Sequence, residues 1–233
     1  MTSTQGARRG NLGVLTGALF ALLWVAGGFA QDLTATDSSI AYPRPTDGAA
    51  DVQKWFEANG SAAEANAALQ ILAGIALVVF AAVVANIIRS IGRSGAAASV
   101  AALGGTLSAA LLLVGAAGGA GLGSDATASP EVAQALYQVT FWTGGPLHVA
   151  ALGLLVVAAA TGLGAVLPKW LKITGQVVGG LALLASLSGV SQVFVAFTLF
   201  GRYLGFVWLL VVGIMFVVKR SAPAGAPAAE ARV

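Results

Sequence analysis

Six stretches of this chain carry no charged residue: Gly10–Gln31, Ala65–Ile88, Ser94–Ser124, Val132–Pro168, Ile173–Gly201 and Tyr203–Val218. A helix that crosses a bilayer needs about 20 apolar residues, within a range of about 17 to 25, so the first five runs are long enough. The sixth has 16 residues; Arg202 at its end can snorkel to the interface, and Leu199 and Phe200 extend it to a spanning length. Only 9% of the residues are charged, against about 25% in soluble domains. The expected fold class is therefore an all-α membrane protein: a six-transmembrane-helix bundle with short amphipathic helices on the outer face. A single bundle over 1–220 has spans at about 11–30, 64–88, 96–121, 146–166, 173–197 and 199–218. The alanine- and proline-rich tail, 221–233, reads as disordered and cytoplasmic.

The few charges are sorted. Arg8, Arg9, Arg89, Arg93, Lys169, Lys172, Lys219, Arg220 and Arg232 fall on one side of the alternating runs. Arg44, Lys54 and Arg202 fall on the other, with Asp32, Asp37, Asp47, Asp51, Glu57, Glu64, Asp125 and Glu131. Lysine and arginine concentrate in cytoplasmic loops, so both termini are expected inside. Lys169-Trp170-Leu171-Lys172 after Pro168 marks a cytoplasmic turn, its indole in the aromatic belt and its lysines toward anionic lipid. A net charge of +3 without a basic stripe or stacking platform excludes a nucleic-acid partner. The first run has a second reading: Arg8-Arg9, an apolar core and Gly28-Phe29-Ala30 before Gln31 resemble a signal peptide with a small-residue cleavage site.

The outer segments carry the helix signals. Asp37-Ser38-Ser39 forms a turn, Pro43-Arg44-Pro45 is extended, and Asp47 caps a short helix through Gly60 with Val52, Trp55 and Phe56 on one face. That helix either lies on the headgroups or forms a lid over an outward-facing cavity. Ser61-Ala62-Ala63-Glu64 reads as a capping box that starts the second span. Ser129-Pro130-Glu131 starts another helix through Phe141-Trp142. Gly144-Gly145-Pro146 then breaks the run, so this helix docks on the bundle or the fourth helix kinks there.

Candidate chemistry is sparse. With no cysteine and one histidine, thiol chemistry, disulfides and two-histidine metal or haem sites are excluded. There is no GxxxxGK[ST], HExxH or GxSxG, and Gly162-Leu163-Gly164 lacks the strand context of a dinucleotide site. His148, just after Pro146, is expected near the headgroup level. Tyr137, Trp142, Gln192 and Arg202 are expected within its reach, and Ser188, Ser191 and Gln192 make a polar stretch that could line a small cavity. His148 itself can be a structural bond, a ligand contact or a proton carrier. No acid or base is expected near the centre of any span, which argues against buried-carboxylate pumping and catalysis. Gly13/Gly17, Gly115/Gly119, Gly175/Gly179 and Gly201/Gly205 are small-xxx-small pairs that let helices approach closely. They serve packing within the bundle, a protein partner or a homo-oligomer.

Gly144-Gly145-Pro146, Leu167-Pro168-Lys169-Trp170-Leu171 and Gly201-Arg202-Tyr203-Leu204-Gly205 with Trp208 together resemble a group of bacterial six-helix membrane proteins of the domain-of-unknown-function kind. The resemblance runs from the second span onward and implies the architecture, with no activity or catalytic residue to carry over. It implies a bacterial cytoplasmic (inner) membrane, which an alanine- and glycine-rich composition also fits. The expected function is a non-enzymatic membrane protein without cofactor or metal. It would be an accessory subunit, or a binder of a lipid-like or small ligand at the outer face through Tyr137, Trp142, His148, Ser188, Gln192 and Arg202. The alternative is a small transporter or permease with a cavity at the outer ends of spans four and five.

Overall fold

A computed structural model describes residues 12–93, 95–124 and 129–221. Arg8, Arg9, Asp125, Arg232 and nearly all of the tail lie outside the described residues. The described residues form helices and connecting turns with no strand. The long helices are α1 (Leu15–Thr34), α2 (Ala49–Ser90), α3 (Gly95–Gly123), α4 (Pro130–Trp142), α5 (His148–Gly162), α6 (Lys169–Leu183) and α7 (Val195–Ser221). A π-helical turn, Thr143–Leu147, joins α4 to α5. A 3-10 stretch, Leu184–Gly189, extends α6, and another, Gln192–Phe194, leads into α7. Counting these continuations, six segments are long and apolar enough to cross a membrane. This is a multi-pass helical membrane protein, and its outer faces suit lipid: Leu103 is 70% exposed, Leu22 62% and Phe29 64%.

The helices close on themselves. α1 packs on α2, α2 on α3, α3 on α5, α5 on α6, α6 on α7, and α7 returns to α1. The core inside this ring holds Phe20, Leu77, Phe80, Leu112, Leu152, Leu155 and Leu209, all fully buried. Phe20 of α1 and Val14 just before it belong to that core, so a cut before Gln31 would remove part of the bundle's interior.

Helices in lipid gain little from hiding apolar surface, so close packing at small residues holds them together. The glycine pairs do this within one chain. A Cβ on Gly17 would stand 2.6 Å from the Phe80 ring, one on Gly175 2.6 Å from the Trp208 indole, and one on Gly201 2.6 Å from the Ala182 Cα. The Gly175 notch seats Trp208 so that its Nε1 donates to the Leu171 carbonyl at 2.9 Å. These contacts place Gly17, Gly175 and Gly201 in packing within one chain.

Four local expectations change. The second span does not begin at a Ser61 capping box. α2 runs for 42 residues with one kink at Asn59 (φ −127°, ψ 31°), and Ser61 Oγ instead contacts the Thr34 carbonyl at 3.5 Å. Asn59 is free to bend because its amide is spent across the loop: its Oδ1 accepts from the Asp37 N–H at 2.9 Å and its Nδ2 donates to the Asp37 carbonyl at 3.3 Å. Asp47 does not cap α2. Gly48 holds that position without a side-chain bond, while Asp47 Oδ2 accepts from the Arg44 N–H at 2.6 Å. The segment with Val52, Trp55 and Phe56 does not lie on headgroups, because all three are buried against Ala133, Tyr137 and Leu122. Finally, the boundary between spans five and six lies at Val190–Ser191 rather than near residue 198, so the sixth segment is Gln192–Val218. Ser129 behaves as expected, its Oγ accepting from the Val132 N–H ahead of Pro130.

Adding a methyl group at Gly175 should force the Trp208 indole out of its notch. Gly175→Ala is expected to lower stability by about 1–3 kcal/mol, read as a lower melting temperature in detergent. Gly180→Ala on the same helix meets nothing within 4 Å and should leave the melting temperature unchanged or slightly raised.

Candidate functional site

The end of the bundle that carries residues 35–48, Ser124, Ser129 and Val190–Ser191 holds the acidic loop before α2. Just inside that end the helices enclose a cavity of about 390 Å³, within the range of about 300–1,000 Å³ usual for small-molecule sites. Its volume arises where side chains are missing. Gly28 on α1, Gly119 on α3 and Gly145 in the π turn all line it, and a Cβ at any of the three would meet nothing within 4 Å. Ala63 and Ala67 on α2 and Ala116 on α3 keep the walls thin.

A lid covers the cavity. Tyr42 packs edge-on against Trp55, with centroids 4.7 Å apart, and also contacts Phe56 and Tyr137. Side chains from α4 strap the loop down: Tyr137 Oη donates to the Pro43 carbonyl at 2.5 Å and Gln138 Nε2 to the Pro45 carbonyl at 2.7 Å. At the start of the loop Asp37 accepts both the N–H and the hydroxyl of Ser39, and this holds its carboxyl below the usual aspartate range. A depressed carboxyl contributes stability above the unfolded pKa and loses it as pH falls through the folded one. The Asp37 turn therefore persists to lower pH than a free aspartate would allow.

The walls are polar along two helix faces. Asn66 and Gln70 lie four residues apart on α2, so they share a face. Asn66 Nδ2 donates to Gln31 Oε1 at 2.8 Å, and Gln70 Nε2 donates to Asn66 Oδ1 at 2.9 Å. Thr198 and Arg202 share a face of α7 in the same way and also line the cavity. Arg202 Nη2 donates to the Gly144 carbonyl at 2.7 Å, and its guanidinium carbon lies 4.6 Å from the centre of a Trp24 ring. The π turn makes that carbonyl available. Pro146 has no N–H to continue the helical ladder, and the His148 N–H bonds the Gly145 carbonyl rather than that of Gly144. Gly115 allows the turn to come close, since a Cβ there would lie 2.8 Å from Gly144.

Trp24, which lines the cavity, heads an aromatic stack that forms its floor. Trp24 and Phe206 have ring centroids 5.3 Å apart, Phe206 and Phe20 5.1 Å, and Phe20 and His148 6.0 Å. Below them lies the packed core, and His148 belongs to it. Its Nδ1 faces the Ser108 carbonyl at 2.9 Å, so Nδ1 carries the proton, because a carbonyl only accepts. Ser108 Oγ donates to the His148 carbonyl at 3.0 Å. Ser108 stands near the middle of α3, which places His148 deep in the bundle rather than at headgroup level. Arg202 is likewise well inside Gln192–Val218, not at its end. The expected charge-free middle is therefore corrected on both counts: the base-type groups face inward and are hidden by the ring of helices.

Of the six residues singled out from sequence, Tyr137 and Arg202 line the cavity. Trp142 is half-buried with its ring against Phe141. Ser188 is buried and bonds the Ala185 carbonyl one turn back, and Gln192 is exposed. His148 lies beneath the aromatic floor. Sequence reasoning missed Trp24, Asn66, Gln70, Thr140 and Thr198. The available signal was the spacing of four residues between Asn66 and Gln70 and between Thr198 and Arg202. Among the described residues no group of three histidine, aspartate or glutamate side chains could hold a metal ion. Comparison with protein-family models, with curated proteins and with solved structures finds no match to this chain.

The His148–Ser108 pair reads as a staple between α3 and α5. Ser108→Ala removes the hydroxyl that donates to the His148 carbonyl while leaving the backbone acceptor of Nδ1–H in place, and should cost about 0.5–1.5 kcal/mol. His148→Ala also opens a void and should cost more. Thermal unfolding in detergent measures both.

Proposed function

We propose that this protein binds a small or lipid-like ligand in the cavity beneath its acidic end. One observation carries the reading: a lidded, largely apolar cavity contains buried polar groups that the chain itself does not satisfy. Trp24 Nε1, Thr140 Oγ1, Thr198 Oγ1 and Arg202 Nε are shielded from solvent and have no hydrogen-bond partner, and all four residues line the cavity. Buried polar groups in native proteins nearly always find partners. Gln134 Oε1 and His148 Nε2 are unpartnered away from the cavity and Thr140 Oγ1 lies against Gly118, which leaves Trp24, Thr198 and Arg202 as the lining residues whose unmet groups favour an occupant. Gly28 and Leu199 line the cavity while remaining exposed on the surface of the bundle. The cavity thus reaches the lipid-facing side between α1 and α7.

The positive-inside rule supports placing the acidic end outside and both termini in the cytoplasm. The resemblance to bacterial six-helix proteins supports a bacterial inner membrane. The protein would then receive its ligand from the outer leaflet, without catalysis, either alone or as an accessory subunit. Transport is the less favoured reading. The layer of Trp24, Phe206 and Phe20 over a core of Leu77, Leu112, Leu152 and Leu155 closes the other half of the bundle to a polar solute.

Native mass spectrometry of protein extracted in a neutral detergent tests the binding reading. One non-protein adduct per chain is expected. Gly119→Leu fills open space and should reduce its occupancy at least tenfold while keeping the melting temperature. An adduct that survives Gly119→Leu unchanged would place binding elsewhere.

A further inference from the structure

Arg202 is the cavity's least satisfied group. Its five N–H donors have one protein acceptor, the Gly144 carbonyl. The Trp24 ring offsets part of its charge through the face of the π system. No aspartate or glutamate lines the cavity. A guanidinium so placed stays charged at any physiological pH, and a half-buried charge without an acidic partner is costly unless something of opposite sign pairs with it. The orphaned atoms nearby fit the same need. Trp24 Nε1 and Arg202 Nε can only donate, and Thr198, one helical turn before Arg202, offers a buried hydroxyl. The unmet demand is thus for an acceptor carrying negative charge. Beside the polar Gln31, Asn66 and Gln70, the lining includes the apolar Phe56, Phe141, Val195 and Leu199.

Resting on the ligand-binding reading above, we propose that Arg202 is an anion anchor and that the cavity takes a single-chain amphipathic carboxylate. The carboxylate accepts from the Arg202 guanidinium, whose planar fork matches its two oxygens, and from the Thr198 hydroxyl. The apolar chain lies along Phe141, Val195 and Leu199 and leaves between α1 and α7 toward the lipid. A volume of about 390 Å³ suits one acyl chain rather than the two chains of a phospholipid.

The test uses the full chain in a neutral maltoside detergent, with laurate, dodecanol, acetate and phosphatidylglycerol as probes and native mass spectrometry as the readout. Wild type should bind one laurate at least tenfold tighter than dodecanol, with acetate binding far more weakly than either. Arg202→Gln should remove the preference for laurate and leave dodecanol binding in place. Arg202→Lys should restore part of that preference, and Thr198→Val should weaken laurate alone by about threefold. The wild-type comparison of laurate with dodecanol decides the matter even if a variant fails to fold. Equal binding of the two, with both lost in Gly119→Leu, would overturn the anion anchor and leave the binding reading standing. Binding of neither would overturn both readings. Acetate binding as tightly as laurate would overturn the amphipathic assignment, and a preference for phosphatidylglycerol over laurate would overturn the single chain.

Discussion

Helices surrounded by lipid have no apolar surface to hide from water, so this bundle depends on how closely its backbones can approach. Glycine sets that distance, and it does so in two opposite ways. Where a missing side chain meets a neighbour, as at Gly17 on Phe80, Gly175 on Trp208 and Gly201 on Ala182, the helices lock. Where it meets nothing, as at Gly28, Gly119 and Gly145, the same economy leaves a hole. Cohesion and cavity thus come from one residue type, separated only by what stands opposite.

That separation explains what could be read in advance. The six crossings follow from uncharged runs, a property of each segment alone, and the Ser129-Pro130-Glu131 start is equally local. The pairing of glycines is not local: Gly115 and Gly119 look identical in the chain, yet one meets Gly144 and the other opens onto the cavity. Arg202 misled for a related reason. A charge in an apolar run reads as the end of a span when its surroundings are taken as lipid. The actual boundary was signalled by small and polar residues at Ser186, Ser188, Gly189 and Ser191. The kink at Asn59 was hidden because its cause is a bond to Asp37 across the loop, 22 residues away.

The lid and the deep polar group are linked through α4. Its outer turns hold the loop by Tyr137 and Gln138, and its last residues run into the π turn that exposes the Gly144 carbonyl to Arg202. Irregular backbone within a membrane is tolerated where protein buries it or a cavity adjoins it, and both hold here. π turns within helices are often found at functional sites. The Gly144-Gly145-Pro146 triplet therefore does more than end a helix, since it turns a backbone oxygen toward a side chain from the far end of the sequence.

The two base-type side chains hidden in the bundle show how burial decides role. His148 has its Nδ1 proton met by the Ser108 carbonyl, is fully buried and does not line the cavity. Its Nε2 is buried without a hydrogen-bond partner, and the group is spent on holding α3 to α5. Arg202 lies above the same floor, beside open volume, with one acceptor for five donors. A neutral imidazole can leave one nitrogen unpartnered, whereas the charge of a guanidinium can be neutralised only by an anion. Since the walls provide none, the charge that marks the cavity also defines the chemistry of what can fill it.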